Sequence, residues 1–192
     1  MINPIELKKK YLQSREKLFS SLLNSNDGVT FNKNHTILVD SVVKDLVLGI
    51  QRQFPVSDFS LIAVGGYGRQ DLSPKSDVDL LFLYKKSNKN IRGFITALNN
   101  SLWDLGLEVG ISFLTLKQVI IDSKKDIKTV TKFAESRHLI GDEDYYGEFV
   151  RSIKILIGKL NSLKLSEKKL LELVGRHDYY LGIKSNLEPQ IK

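Results

Sequence analysis

Apolar and polar positions follow two different spacings along the first part of the chain, and they predict two helices followed by two strands. Helical spacing covers about residues 5–23 and 36–54, and Pro55 stops the second helix. The polar stretch between them, "NSNDGVTFNKN", is interpreted as a loop. The next apolar runs, "FSLIAVGG" and "DVDLLFLY", are bounded by turn signals and are too short for core helices, so we expect strands.

The pattern then returns to helix, and one more strand follows. The segment "IRGFITALNNSLWDLG" has helical spacing, and it places Phe94 and Trp103 as core contacts. It ends at Gly106, after which "LEVGISFL" is predicted to be the third strand. We expect only helices beyond this strand. Their candidate caps are Thr115 with Gln118 in a capping box, then Asp126, Asp142 and Ser166.

This order of elements predicts an α/β (α+β) fold with a short mixed sheet, flanking helices and a helical C-terminal extension. We expect residues 1–124 to form one domain that includes the two leading helices, and residues 125–192 to form the helical extension. A chain of 192 residues is long enough for one well-packed core with an appendage.

Composition narrows the range of functions only a little. The sequence is 42% hydrophobic and 27% charged, which is ordinary for a globular protein, and no apolar run reaches the ~18 to 20 residues of a membrane span. A net charge of +7 allows an anionic partner, but the lysines are spread along the chain in pairs, so a nucleic-acid surface is not favoured. The start lacks a signal-peptide pattern and the chain has no cysteine, so we expect a cytoplasmic protein.

Two aspartates at the start of the second predicted strand are the first candidates for chemistry. Asp77 and Asp79 are two positions apart, so in a strand both carboxylates lie on one face, with Cα atoms about 6.5 to 7 Å apart. Like charges this close repel unless a cation lies between them. Carboxylate oxygens are also what Mg²⁺ prefers, and two-metal phosphoryl transfer uses such pairs. The pair therefore predicts a divalent metal site.

A glycine pair at the end of the first predicted strand complements these carboxylates. Gly65 and Gly66 have no Cβ, so the backbone there can turn tightly and approach a phosphate. Arg69 follows and offers a planar guanidinium to phosphate oxygens, whereas Ser76 offers a hydroxyl either to a phosphate or to the turn itself. Tyr67 lies within the same turn, and its role stays open.

Each of these features is weak alone, and their combination is more specific. A glycine pair usually marks a simple turn, and Asp-x-Asp occurs on many solvated strands. Here residues 67–75 separate the glycine pair from Ser-Asp-x-Asp. In addition, Asp79 lies between Val78 and Leu80 in an apolar strand, where burial without a partner is costly. We therefore favour a functional site over a purely structural interpretation.

These residues resemble the signature of the nucleotidyltransferase superfamily. More narrowly, "GGYGRQDLSPKSDVDLLFL" resembles the N-terminal domain of the bacterial PII uridylyltransferase family, as do "LWDLGLEVGISFLTL", "ESRHLIGD" and "NLEPQIK" further along. The resemblance implies a nucleotidyltransferase fold and a cytoplasmic enzyme of nitrogen regulation. It also implies transfer of UMP from UTP to a tyrosine of the signalling protein PII, with Mg²⁺, as two ions, as the cofactor.

The resemblance also implies roles for individual residues. Gly65, Gly66 and Arg69 would hold the triphosphate, with Ser76 beside them, and Asp77 and Asp79 would bind the metal ions. A third carboxylate is usual in the superfamily. Glu108 is the candidate, and the alternative is an exposed strand glutamate.

The sequence departs from that family at several points. Ile111 stands where histidine is common, and Leu114 precedes Thr115 where arginine is common, which puts substrate specificity in doubt. The family's uridylyl-removing and glutamine-sensing domains have no counterpart in the sequence, so we expect a fragment or an excised N-terminal region, with a stand-alone minimal transferase as the alternative. The alternatives are another nucleotidyltransferase, acting on glutamine synthetase or a small molecule, and a catalytically silent nucleotide-binding module.

Overall fold

The computed structural model describes residues 4–25 and 27–159, which form a sheet between two layers of helices. Seven helices and four strands lie in this part of the chain. The helices are α1 (Pro4–Ser25), α2 (Gly28–Gln53), α3 (Gly65–Gly68), α4 (Lys89–Asp104), α5 (Leu116–Lys125), α6 (Ile127–Ala134) and α7 (Glu143–Lys159). The strands are β1 (Phe59–Ala63), β2 (Val78–Tyr84), β3 (Val109–Leu114) and β4 (Arg137–Gly141).

The sheet is mixed, as the sequence predicts. Its spatial order is β3-β2-β1-β4. Strand β1 pairs antiparallel with both β2 and β4, whereas β2 and β3 are parallel and are connected through α4. A parallel pair needs such a crossover, since a short turn cannot return the chain to the same end of the sheet.

The central strand β2 is buried on both faces, which explains why its sequence is an apolar run. Leu80 and Phe82 face one layer, formed by α1, α2 and α4. Leu81 and Leu83 face the other layer, formed by α5, α6 and α7. Because successive strand residues point to opposite faces, every odd-numbered position of β2 belongs to the α5–α7 side. This assignment also includes Asp79.

The predicted loop between the first two helices is wrong over most of its length. Helix α2 begins at Gly28, directly after the N-cap Asp27, whose carboxylate accepts a hydrogen bond from the Thr30 backbone N–H at 3.0 Å. Phe31 is buried in this first part of α2, and its ring centroid lies 5.2 Å from that of Phe19 on α1. The many polar residues around Asp27 and Phe31 led to the loop prediction. The Asp27 cap and the apolar contact of Phe31 with Phe19 both favour a helix.

The expectation of helices alone after β3 is wrong in one element, because residues 137–141 form β4. This strand has only five residues, begins with Arg137 and His138, and lies at the edge of the sheet against β1. Such a segment has no strong pattern of its own, so pairing with β1 decides its structure.

The predicted burial of Trp103 is also wrong, because its side chain is 69% exposed. Phe94, in contrast, is buried as predicted.

The predicted caps of the described helices are confirmed. Thr115 and Gln118 form the reciprocal capping box of α5. Asp126 caps α6 by accepting from two backbone N–H groups, and Asp142 accepts from the Tyr145 N–H at 2.9 Å at the start of α7. The Ser166 cap and the last predicted helix lie outside the described residues. The division at residue 125 stays a prediction, although β4 joins the later part of the chain to the sheet.

An ion pair ties β4 to α2. The Arg137 guanidinium donates to both carboxylate oxygens of Asp40, at 2.6 and 3.0 Å, and also to the Tyr67 carbonyl at 3.4 Å. Two parallel hydrogen bonds fix the relative orientation of both side chains. This arrangement places residues 132–137 beside α3.

Within residues 4–25 and 27–159, no helix combines the length and apolar character needed to cross a membrane.

Close packing of this segment against α3 makes a first prediction. A Cβ added at Gly68 would lie 2.0 Å from the Glu135 carbonyl oxygen. Gly68→Ala must therefore move backbone, and we expect a loss of about 1–3 kcal/mol in the free energy of unfolding, measured with urea. Gly49→Ala is the control, because its Cβ would meet nothing within 4 Å inside α2, and it should be neutral or stabilising. Equal stability of Gly68→Ala and the wild type would contradict the packing.

Candidate functional site

Asp79 is the second residue of the central strand β2 and lies on the sheet face that the α5–α7 layer covers. It precedes Leu81 and Leu83 on that face. Its backbone is fixed from the β1 side, since the Val64 N–H donates to the Asp79 carbonyl at 3.1 Å. Parallel pairing with Gly110 on β3 fixes it from the other side. The rigid sheet therefore sets the position of this carboxylate.

The Asp79 carboxylate lies in a slot between two glycines. A Cβ at Gly65 would lie 3.4 Å from Asp79 Oδ2, and a Cβ at Gly110 would lie only 2.9 Å from Asp79 Oδ1. Gly65 also has a φ of +61°, in the left-handed region that glycine adopts without strain. Gly65 is thus required by its backbone conformation, and Gly110 by the space that the carboxylate takes. Hereafter "the glycine slot" means Gly65, Gly110 and the carboxylate between them.

A lysine from the α5–α7 layer, which covers this face of the sheet, closes the slot. Lys132 Nζ on α6 lies 2.7 Å from Asp79 Oδ1. The Lys132 Cγ lies 3.7 Å from where a Gly65 Cβ would be, so its aliphatic stem runs past the glycine. The Lys132 and Asp79 side chains are 39% and 31% exposed, respectively. The carboxylate therefore has a cation beside it that remains in contact with solvent.

We expected the glycine pair to end the first strand. In the structure the pair instead begins a helical turn. Strand β1 stops at Ala63, and Gly65 and Gly66 are the first residues of α3. Arg69 follows α3, and its guanidinium is paired with the Glu135 carboxylate. The Arg69 side chain is still 48% exposed. A triphosphate role for Arg69 stays a prediction, and it would require Arg69 to exchange Glu135 for a phosphate.

Asp77 and Ser76 lie just before β2, which begins at Val78. Asp77 is exposed, and its odd-numbered position extends the face that carries Asp79. The Ser76 hydroxyl is hydrogen-bonded to the Ser73 hydroxyl, and the Ser76 N–H donates to the Ser73 carbonyl at 3.1 Å. Of the two roles open to Ser76, the structure contains the turn contact.

Glu108 lies at the edge of the same region, one residue before β3. Its carbonyl accepts from the Val78 N–H at 2.7 Å, and its side chain is exposed. Extending the pairing of Val78 with Val109 by one residue sets Glu108 beside Asp77. Over the described ranges, however, no group of three or more His, Asp or Glu side chains is close enough to hold a metal ion. The role of Glu108 as third carboxylate stays a prediction.

Two residues near the motif belong to the core. Tyr67 is buried, and burial raises the pKa of its hydroxyl well above the ordinary value, with the negative charge of Asp40 adding to the rise. Tyr67 therefore stays neutral and packs beneath Arg137, which lies 5.6 Å from its ring centroid. Ile111 packs against the α1, α2 and α4 layer. Its departure from the family pattern is thus on the face opposite Asp79.

Sequence reasoning missed Lys132 and Glu135 as neighbours of the site. Lys132 is 53 positions from Asp79 and Glu135 is 66 positions from Arg69, so no local spacing connects them. Glu135 lies within the stretch "ESRHLIGD", which carries part of the family resemblance, and this was the available signal. Lys132 had no such signal, because it is one lysine among many.

Comparison of the sequence with known protein families identifies a matching family. The family model described as "Nucleotidyltransferase domain" matches residues 43–144, more than half of the chain. The chain belongs to the nucleotidyltransferase family. The matched residues contain the glycine slot and Lys132, and the family confirms the predicted α/β nucleotidyltransferase fold. Members of this family generally use a divalent metal ion and a nucleoside triphosphate.

Several curated relatives are bifunctional uridylyltransferase/uridylyl-removing enzymes. The protein from Ralstonia nicotianae is 34% identical over 158 residues, covering 82% of this chain and 18% of its own length. The protein from Idiomarina loihiensis is 34% identical over 203 residues, covering 94% of this chain and 22% of its own length. This nucleotidyltransferase chain thus spans about a fifth of the length of these relatives.

Solved structures add little to this assignment. A chain from a crystal structure of a toxin-antitoxin with AMP-PNP covers 68% of this chain and 97% of its own length, at 16% identity and a TM-score of 0.38. With a TM-score of 0.38, this structural similarity is too low to support any argument about the site.

The nucleotidyltransferase site fits a divalent ion through Asp77 and Asp79. Both offer hard oxygen ligands, and the sheet face beside them is open, since Gly110 and Ser112 of the edge strand β3 are exposed. Gly65 and Gly110 place no Cβ against the Asp79 carboxylate, and of its two oxygens Oδ1 accepts from the Lys132 ammonium.

The slot makes a second prediction. Gly110→Ala would push its Cβ against Asp79 Oδ1, so the variant should fold but bind Mn²⁺ about ten- to hundredfold more weakly, as measured by calorimetry. Ser112→Thr is the control, since it adds a methyl group on the same strand face, two positions further along, where the side chain is exposed. Unchanged Mn²⁺ affinity in Gly110→Ala would show that the slot does not position a metal ligand.

Proposed function

We propose that this nucleotidyltransferase domain transfers UMP from UTP to a tyrosine hydroxyl of the PII signalling protein. The observation that carries the proposal is Asp79 in the glycine slot, with the exposed Asp77 just before the same strand. The relatives support the uridylyl group, since they are named uridylyltransferases. The choice of PII as acceptor rests on the resemblance of the motif and of the three later stretches.

The reaction is a displacement at phosphorus. The tyrosine oxygen attacks the α-phosphorus of UTP and forms a P–O bond, and the bond between the α-phosphorus and the bridging oxygen breaks. Pyrophosphate leaves with that electron pair, and the phenolic proton passes to solvent. The domain's part is to hold the two reactants in line and to offset the charge on the phosphates.

The residues of the site divide this work. Asp77 and Asp79 would hold Mg²⁺, as one or two ions, which supplies positive charge to the phosphate oxygens and promotes loss of the tyrosine proton. Gly65 and Gly66 let the triphosphate approach the backbone, because no Cβ stands in the way. The Arg69 guanidinium, which is exposed at its outer side, offers its charge to the same phosphates. The open side over β3 leaves room for the acceptor tyrosine.

Incubation of the chain with purified PII, Mg²⁺ and each radiolabelled nucleoside triphosphate in turn tests the proposal. We expect label on PII with UTP and release of pyrophosphate. Label from ATP would instead indicate an adenylyltransferase. Nucleotide binding without pyrophosphate release would indicate a silent binding module.

Removing the charge of either aspartate gives a third prediction. Asp77→Asn and Asp79→Asn should keep the fold and lower transfer to below about one hundredth of the wild-type rate, because the amide is a poor ligand for a divalent ion. Asp104→Asn is the control, since it removes the same charge from an exposed residue at the end of α4. Transfer by either site variant at the wild-type rate, with the same Mg²⁺ dependence, would refute the metal assignment.

A fourth prediction concerns Glu108. If its carboxylate joins the metal site when the substrate is bound, Glu108→Gln should lower the rate of transfer at least tenfold and leave UTP affinity nearly unchanged, because the charge acts on the transition state. Steady-state kinetics and calorimetry separate the two effects. A wild-type rate would make Glu108 an exposed residue beside β3 and no more.

A further inference from the structure

We propose that Lys132 is a triphosphate ligand of this site, which Asp79 holds in place until the metal-bound nucleotide arrives. This inference rests on the proposed function, since it names a further residue for the same substrate. Its starting point is the position of Lys132 Nζ, 2.7 Å from one oxygen of the carboxylate that is assigned to the metal.

A divalent ion that binds the same Asp79 oxygen would compete with the Lys132 ammonium for it. Two cations within contact distance of one oxygen repel each other strongly where water is partly excluded. The Asp79 carboxylate would therefore give up Lys132. Because the Lys132 side chain is 39% exposed, the ammonium can leave without opening the core.

The direction in which Lys132 moves is limited by its stem. The Lys132 Cγ is beside Gly65, so the terminal ammonium swings over α3 and the glycine slot. Glu135, three residues after Lys132, is paired with Arg69 in this structure. A triphosphate that approaches the backbone at Gly65 and Gly66 would bring its oxygens within reach of Lys132. Lysine is a common phosphate ligand, acting as a point charge on a flexible stem.

A purely structural role for this ion pair is poorly supported by its surroundings. Half-exposed pairs contribute little to folding stability, since water screens them. Phe133, the next residue, supplies the buried contact that anchors α6. Substitution of Lys132 should therefore leave the fold intact, so that nucleotide affinity reports on the ligand role.

The experiment measures binding to the full chain by calorimetry, with Mg·UTP, with Mg²⁺ and inorganic tripolyphosphate as a competitor, and with Mn²⁺ alone. The variants are Lys132→Ala, Lys132→Arg and Lys86→Ala. Lys86 is the matched control, because it is an exposed lysine beyond the opposite end of β2 and its loss changes the net charge equally. Thermal unfolding of each variant checks the fold.

We expect Lys132→Ala to bind Mg·UTP and tripolyphosphate more weakly by a similar factor of about ten or more, because the lost contact is to phosphate and not to the base. Lys132→Arg should retain part of the affinity, and Lys86→Ala should match the wild type. Mn²⁺ alone should bind Lys132→Ala at least as tightly as it binds the wild type, since a competing cation has been removed.

Two results would overturn the inference while the proposed function stands. One is wild-type Mg·UTP affinity in Lys132→Ala. The other is an equal loss of Mn²⁺ and Mg·UTP affinity, which would make Lys132 a residue that positions Asp79. Failure of the wild-type chain to bind UTP, ATP or tripolyphosphate with Mg²⁺ would instead refute the proposed function, and the inference with it.

Discussion

The site is organised around a carboxylate on the central strand of a buried sheet, where a neighbouring cation is favourable. Asp79 is the second residue of β2, next to fully buried residues, and its side chain is only 31% exposed, so its charge favours a cationic partner. Lys132 supplies that partner in the structure. The glycines at positions 65 and 110 leave the space that both the carboxylate and its counter-ion need. The same electrostatic preference makes Asp79 suited to a divalent ion, because an ion can replace an ammonium group.

The segment that carries Lys132 is held at the site by contacts that do not involve a ligand. The backbone of Glu135 approaches Gly68 so closely that no side chain fits between them. Arg137 binds the Asp40 carboxylate on α2, and β4 pairs with β1. Residues 132–137 are therefore packed against both the sheet and α3, and the Lys132 side chain at the start of this segment reaches the glycine slot.

Family membership and geometry answer different questions about function. Membership establishes a nucleotidyltransferase domain, and the curated relatives are named as bifunctional uridylyltransferase/uridylyl-removing enzymes. Neither identifies the acceptor, because the chain spans only about a fifth of those relatives and fold alone does not determine a substrate. The structure adds that Gly110 and Ser112 of the edge strand are exposed on one face, whereas the opposite face of the sheet is packed against α1, α2 and α4.

The first three strands, most of the helices and the Asp-x-Asp and Gly-Gly candidates can be predicted from local sequence, because each depends on spacing within a few residues. Long-range packing makes residues 137–141 a strand, since their pairing with β1 outweighs a weak local pattern. It also decided the exposure of Trp103 and the pairing of Asp79 with Lys132. A side chain's partner 53 positions away depends on how helix layers pack on a sheet, and no local spacing encodes that distance.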